Sequence, residues 1–241
     1  MRKLVLTLSC LICPIFTASG WASVIATPSE NDAGSSAFAV SGTDLVNQGQ
    51  STLSGSATYS GFTTYAGSSP TVLNDGTAGT GAVNAAESAV TTQGTDWVLT
   101  YNLNTAANPS GFKLTEIDTV SWWNSDYVNQ SYTLAYSTID NPASFTNILG
   151  NFSLSATAGQ SNVAQVALKI ALTDSTGTLA TGVAGLQFTF HPIANGTYGD
   201  HQGGYREVDV FGSAVPEPGS LGLLALGGMM LIRRRRNRCV P

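Results

Sequence analysis

The chain has 241 residues, only 10% of them charged, with a formal net charge of −5 and three cysteines. Average soluble proteins carry roughly 25% charged residues. With no basic surplus to neutralise phosphates, a nucleic-acid binder is excluded. Three cysteines in this length exclude a disulfide scaffold, and 9% aromatic residues exclude a disordered acidic tail.

The charge is sharply partitioned. Arg2, Lys3, Arg233, Arg234, Arg235, Arg236 and Arg238 sit at the two ends and account for seven of the ten basic residues. Residues 24–215 hold fourteen of the fifteen carboxylates against Lys113, Lys169 and Arg206, so the middle is eleven units negative. Cys10, Cys13 and Cys239 also lie outside the middle. A thiol-free body can fold in an oxidising compartment without mispairing.

Residues 1–23 open with Arg2 and Lys3, continue through an apolar stretch from Leu4 to Phe16, and end in small residues around Gly20 and Ala22. This three-part pattern predicts a secretory signal peptide, an N-terminal helix removed by signal peptidase after Ala22.

The body, residues 24–214, is long enough for one well-buried domain. Asn84 to Val90 can form one or two helical turns; elsewhere the signals are those of strands. Asp96 to Leu103 alternates, with Trp97, Leu99, Tyr101 and Leu103 on one face. Leu114 to Trp123 follows, then Ser131 to Ser137 with Tyr132, Leu134 and Tyr136 together. Val163 to Leu172 alternates through Val166, Leu168 and Ile170, and Leu186–Phe190 and Val208–Phe211 complete the set. Period-2 patterning means one wet and one buried face per strand, as in antiparallel sheets. Many short strands joined by Gly, Asn and Ser predict an all-β sandwich or barrel.

The C-terminal 24 residues of interest, 215–238, start with Val215-Pro216-Glu217-Pro218, which ends the body because two prolines cannot continue a strand or helix. Residues 219–232 form a glycine-rich apolar run, roughly 21 Å as a helix at about 1.5 Å per residue. That is short for a bilayer core of about 30 Å. The basic tail at 233–238, led by Arg233, Arg234, Arg235 and Arg236, can snorkel and hold that end in the cytoplasm. A short transmembrane helix with the body outside is the expectation.

This end resembles the PEP-CTERM sorting signal of Gram-negative bacteria, over about the last 25 residues. The resemblance implies that an exosortase, a membrane-embedded cysteine transpeptidase, recognises Pro216-Glu217-Pro218 and removes the tail. The precursor would be anchored transiently in the inner membrane and end at the cell surface or in an exopolysaccharide matrix.

The body has its own resemblance, carried by the order of its landmarks: Leu73-Asn74-Asp75-Gly76, the Trp97 strand, Ile117 to Trp123, Tyr132 to Ser137, and Tyr205 to Gly212 at the end. It looks like the galactose-binding-like, discoidin-like jelly roll of carbohydrate-binding modules, although the stretch from Gly76 to Trp97 is longer than usual there. An antiparallel jelly-roll β-sandwich is therefore the expected fold. The family commonly holds a structural Ca²⁺ near the Asp-Gly turn, tied to a glutamate in the last strand. Here those positions match Asp75 and Glu207, with Thr77 and Thr80 as companions, and the donors suit a cation that takes six to eight oxygens. Asp-Gly is also a common turn dipeptide, which alone would account for Asp75.

Carbohydrate recognition needs an aromatic platform and fixed polar groups. Trp122 to Tyr127 runs from a strand into a loop and supplies both. Alternation from Val120 turns Trp122 inward and Trp123 outward, with Asn124, Asp126 and Tyr127 beside it. The loop His191 to Tyr205, with His201, is a second candidate. Equally, tryptophans in a sandwich are commonly core. His191 and His201 stand in no metal-ligating pattern, no Gly-x-Ser-x-Gly is present, and the body has no cysteine, so no enzyme is expected. The expectation is a non-catalytic binding module for exopolysaccharide or cell-surface glycan; the alternative is a structural matrix protein without a specific ligand. The negative body would repel acidic polysaccharides unless divalent cations bridge.

Overall fold

A computed structural model of the chain describes residues 24–31, 35–62, 67–80, 85–90, 94–156, 165–193, 203–217 and 219. The predicted terminal helices, 1–23 and 219–232, lie outside these residues but for Gly219. No helix among the described residues is long and apolar enough to cross a membrane.

Ten strands are described: β1 Val24–Asn31, β2 Thr58–Ser60, β3 Ala89–Val90, β4 Trp97–Asn102, β5 Phe112–Asn124, β6 Gln130–Thr138, β7 Asn141–Leu154, β8 Gln165–Asp174, β9 Ala180–Phe190 and β10 Gly204–Ala214. Every pairing is antiparallel. One layer runs β1-β8-β5-β10-β3 and the other β7-β6-β9-β4-β2. They join at a corner where the start of β5 pairs with β9 (Phe112↔Val183). This is the predicted all-β antiparallel sandwich.

The alternation explains the core. Trp97, Leu99 and Tyr101 of β4, Val166, Leu168, Ile170 and Leu172 of β8, and Leu186, Phe188 and Phe190 of β9 are all buried. Tyr205, Val208 and Val210 of β10 close it from the other layer. Tyr205 lies 4.5 Å from Phe190 between ring centroids, so the layers meet through aromatic faces. A buried polar node also bridges them. Gln130 of β6 accepts from Thr119 Oγ1 at 2.6 Å and donates to Ser121 Oγ at 3.0 Å and Leu168 O at 2.9 Å. Fully paired, such an amide fixes the relative position of three strands at little cost.

Three strands had no clear sequence signal. β1 and β2 are edge strands, with half of β1 and all of β2 exposed, and β7 is exposed along most of its 14 residues. The expected turns at 84–90 resolve into a 3-10 turn, Ala85–Glu87, followed by β3.

The register sets two poles. β10 starts at Gly204 and ends at Ala214 opposite Phe112, and Val215 N then donates to Gly111 O at 2.9 Å. Eleven residues of strand span roughly 35 Å at about 3.3 Å each. Val24 pairs with Asp174 at the Ala214 pole, so both ends of the body leave there.

Candidate functional site

The opposite pole gathers the end of β5, the 3-10 turn Ser125–Val128, the start of β4 and the segment after β9. The two tryptophans part there, but with the expected faces exchanged. Trp122 follows Asp118 and Val120 on the outer face and is fully buried there, against the Arg206 guanidinium. Trp123 follows Ile117, Thr119 and Ser121 on the inner face, opposite the core residue Val166 of β8, and is half-buried at the end of the sandwich. On its other side Gly204 opens β10 so closely that a Cβ there would sit 3.1 Å from Trp123 Cε3 and from Trp122 O. Glycine at this point lets the strand pass the indole. Tyr127, in the 3-10 turn, is half-buried nearby in sequence; the side chains of Asn124 and Asp126, and all of His201, lie outside the described residues.

The same pole carries a polar row that sequence reasoning did not assemble. Trp97 and Phe190 are register partners, which sets Asp96 beside His191. His191 Nδ1 lies 3.0 Å from Asp96 Oδ1, and Nε2 lies 2.8 Å from Thr133 Oγ1. Thr133 Oγ1 in turn donates to Asn151 Oδ1 at 3.0 Å. Asp96 Oδ1 only accepts, so Nδ1 donates to it, and the direction of the Nε2–Thr133 contact follows the tautomer of the ring. The row offers fixed polar atoms for recognition. Only strand pairing brings these residues together, so a periodicity or motif search along the chain does not find them.

The expected cation ligands are only partly brought together. Asp75 follows the 3-10 turn Pro70–Asn74, and Gly76 takes φ +77°, where a Cβ would meet Asn47 Nδ2 at 2.6 Å. Gly76 N donates to Glu207 Oε1 at 3.3 Å, which joins the turn to β10. Thr77 donates both its N–H and its hydroxyl to Asp75 Oδ1, each at 2.8 Å. Thr80 turns elsewhere: its N–H and hydroxyl go to Glu87, at 2.8 Å and 3.0 Å. Glu87 also holds Arg206 Nη1 at 3.0 Å, and that guanidinium stacks 4.5 Å over the Trp122 ring. Glu207 is fully buried, and among the described residues its Oε2 accepts no hydrogen bond. Burial first, then the charges of Asp209 and Asp75, push its carboxyl up to about 10. Oxygen donors around an orphaned carboxylate oxygen fit a hard cation in kind. Among the described residues, no three His, Cys, Asp or Glu side chains converge closely enough to hold a metal by themselves.

More acids lie under the segment 41–47, which crosses the outer face of β10. Asp209 Oδ2 accepts from Ser41 N at 3.0 Å, and Asp44 Oδ1 accepts from Val46 N and Val210 N at 2.9 and 3.1 Å. Asp209 stands directly opposite Asp118, whose Oδ2 is held by Lys169 at 2.5 Å. Burial is the leading cause of raised values for Asp44 and for Asp209, which reaches about 7.

Comparison with known proteins adds the following. No curated protein matches the chain. Among solved structures, it is similar to a truncated AlyQ with CBM32 and alginate lyase domains, at 17% identity and a TM-score of 0.40, over 69% of this chain and 34% of that one. The chain thus spans about a third of that protein. It is similar to a pectin binding carbohydrate binding module at 12% identity and a TM-score of 0.40, over 70% of this chain and 96% of that one. It is also similar to CpGH89CBM32-5 from Clostridium perfringens, in complex with GalNAc-β-1,3-galactose, at 13% identity and a TM-score of 0.40, over 64% and 93% of the two chains. These are distant likenesses of fold. The last match is local and covers the end of the chain: residues 214–236 carry the PEP-CTERM protein-sorting motif, which marks an exported protein, anchored at the membrane before an exosortase processes it.

Proposed function

We propose that the body is a non-catalytic glycan-binding module of a cell-surface or matrix protein, delivered by signal peptidase at one end and exosortase at the other. The observation that carries this is the composition of one pole. A half-buried Trp123 and a half-buried Tyr127 share it with the Asp96–His191–Thr133–Asn151 row, at the far end of the strands from the sorting motif. Aromatic faces take the apolar side of a sugar, and fixed polar atoms take its hydroxyls. Asn124, Asp126 and His201 are further contacts of the same reading. The test is a glycan array with wild type and Trp123→Ala. Trp123→Ala is expected to weaken binding about tenfold or more while leaving the thermal midpoint near that of wild type. An empty array for the wild type would leave only a structural matrix role.

We propose further that Asp75 and Glu207, with oxygens of Thr77, hold a structural Ca²⁺. It would neutralise the buried Glu207 carboxylate and fasten the Asp75-Gly76 turn to β10. Millimolar Ca²⁺ added at pH 8 after chelation is expected to raise the thermal midpoint of wild type but not of Glu207→Gln. Equal shifts in both proteins would count against the site.

A further inference from the structure

A cleft of about 480 Å³ lies on the flank of the sandwich, between the loop preceding β2 and the 3-10 turn Pro70–Asn74. It is separate from the Trp123 pole and shares no residue with it. Its size falls within the range of small-molecule sites, about 300–1,000 Å³. Tyr59 of β2 stands at this cleft and is 50% exposed, one of only two large apolar side chains so exposed among the described residues. The ring is not loose. Phe62 packs its edge against it at 6.2 Å and is itself 5.3 Å from Trp97 in the core. An exposed aromatic ring braced from behind is a platform.

The polar lining is of one kind. Gln48 donates Nε2 to Thr71 O at 2.5 Å, Gln50 donates Nε2 to Gly42 O at 3.2 Å, and Asn74 donates Nδ2 to Val46 O at 2.6 Å. Each amide is thus oriented by a backbone carbonyl. None of their three carboxamide oxygens accepts a hydrogen bond from the described residues. Gln48 N also donates to Asn74 O at 2.9 Å, which ties the two walls together. The described residues lining the cleft carry no charge. Oriented acceptors beside an aromatic face, with no cation present, suit a ligand that offers hydroxyl donors and an apolar C–H face and carries no negative charge.

We infer that this cleft is a second glycan subsite, which takes an uncharged sugar segment stacked on Tyr59 with hydroxyls donated to Gln48, Gln50 and Asn74. The inference rests on the glycan-binding reading of the body but not on the Trp123 pole. The test is affinity electrophoresis of the mature body through gels of galactomannan, laminarin or polygalacturonate, with Tyr59→Ala, Tyr59→Phe, Gln50→Ala and Trp123→Ala. Tyr59 is exposed on an edge strand, and thermal midpoints check that each variant folds. Retardation in a neutral gel is expected to weaken about tenfold in Tyr59→Ala, to fall in Gln50→Ala, and to persist in Tyr59→Phe, which keeps the ring. Wild-type retardation by Tyr59→Ala, with loss only in Trp123→Ala, would overturn the cleft and leave the pole standing. Retardation by polygalacturonate alone would overturn the uncharged ligand. No retardation of wild type in any gel would overturn both the cleft and the glycan reading beneath it.

Discussion

Phe190→Ala is expected to destabilise the body by about 3–5 kcal/mol, the range for deleting a buried aromatic side chain. Phe190 closes β9 and is the ring on which both layers converge. It stacks on Trp97 at 4.3 Å and on Phe188 at 5.7 Å, and it meets Tyr132 at 6.0 Å and Tyr205 at 4.5 Å. Those partners come from β4, β9, β6 and β10, so the cavity would open between strands that cannot collapse without shifting register. Phe190→Leu keeps most of the volume and is expected to cost about 1–1.5 kcal/mol. Urea unfolding followed by tryptophan fluorescence measures both. A loss below about 1 kcal/mol in Phe190→Ala would show that the aromatic centre repacks freely.

In chelator, the body is expected to lose stability as pH rises from 5 to 8. Asp209 and Glu207 hold their protons in the fold to about 7 and about 10, whereas unfolded carboxyls release theirs near 4. Across that window the folded state binds more protons than the unfolded one, so stability falls with pH. For Asp209 alone, about three pKa units correspond to roughly 4 kcal/mol, complete once the pH has passed its folded value. Glu207 continues the decline toward about 10. The groups facing them are Asp44, Asp75 and Asp118, all acidic, with Lys169 as the single described cation contributing at Asp209. Asp209→Asn keeps an acceptor for Ser41 N and is expected to flatten the profile and raise stability at pH 8 by about 1–3 kcal/mol. Thermal midpoints measured across this range check the sign; a midpoint that climbs from pH 5 to 8 would refute it.

How much could be read in advance followed from how local each signal is. β4 and much of β6, β8 and β9 alternate between buried and less buried residues, which writes alternation into the sequence. β5 and β10 are buried on both faces over 117–122 and 204–210 and were legible from their apolar and β-branched content. Alternation failed at Trp122 and Trp123, because Val120 and Trp122 are buried on the outer face of β5, so apolar character there does not mark the inner side. β7 carries no such record because most of its residues are exposed, and its pairing with β6 shifts register three times. The sorting motif was legible because its apolar and basic blocks act as contiguous segments. The Asp96–His191 contact joins residues 95 apart and the Arg206–Glu87 pair residues 119 apart, so neither leaves a local trace. Thr80 shows the same limit: nearness to Asp75 in the chain suggested a shared ligand set, but Glu87 captures its hydroxyl.

The hydrogen bond from Val215 to Gly111 has a mechanical consequence. Pro216 and Glu217 stand exposed immediately beyond it, so the motif follows the final strand with no intervening stalk. Cutting there would leave a few residues of slack, on the order of 10 Å when extended. The cut end would then lie close under the Ala214 pole, and Trp123 would lie at the other end of the strands.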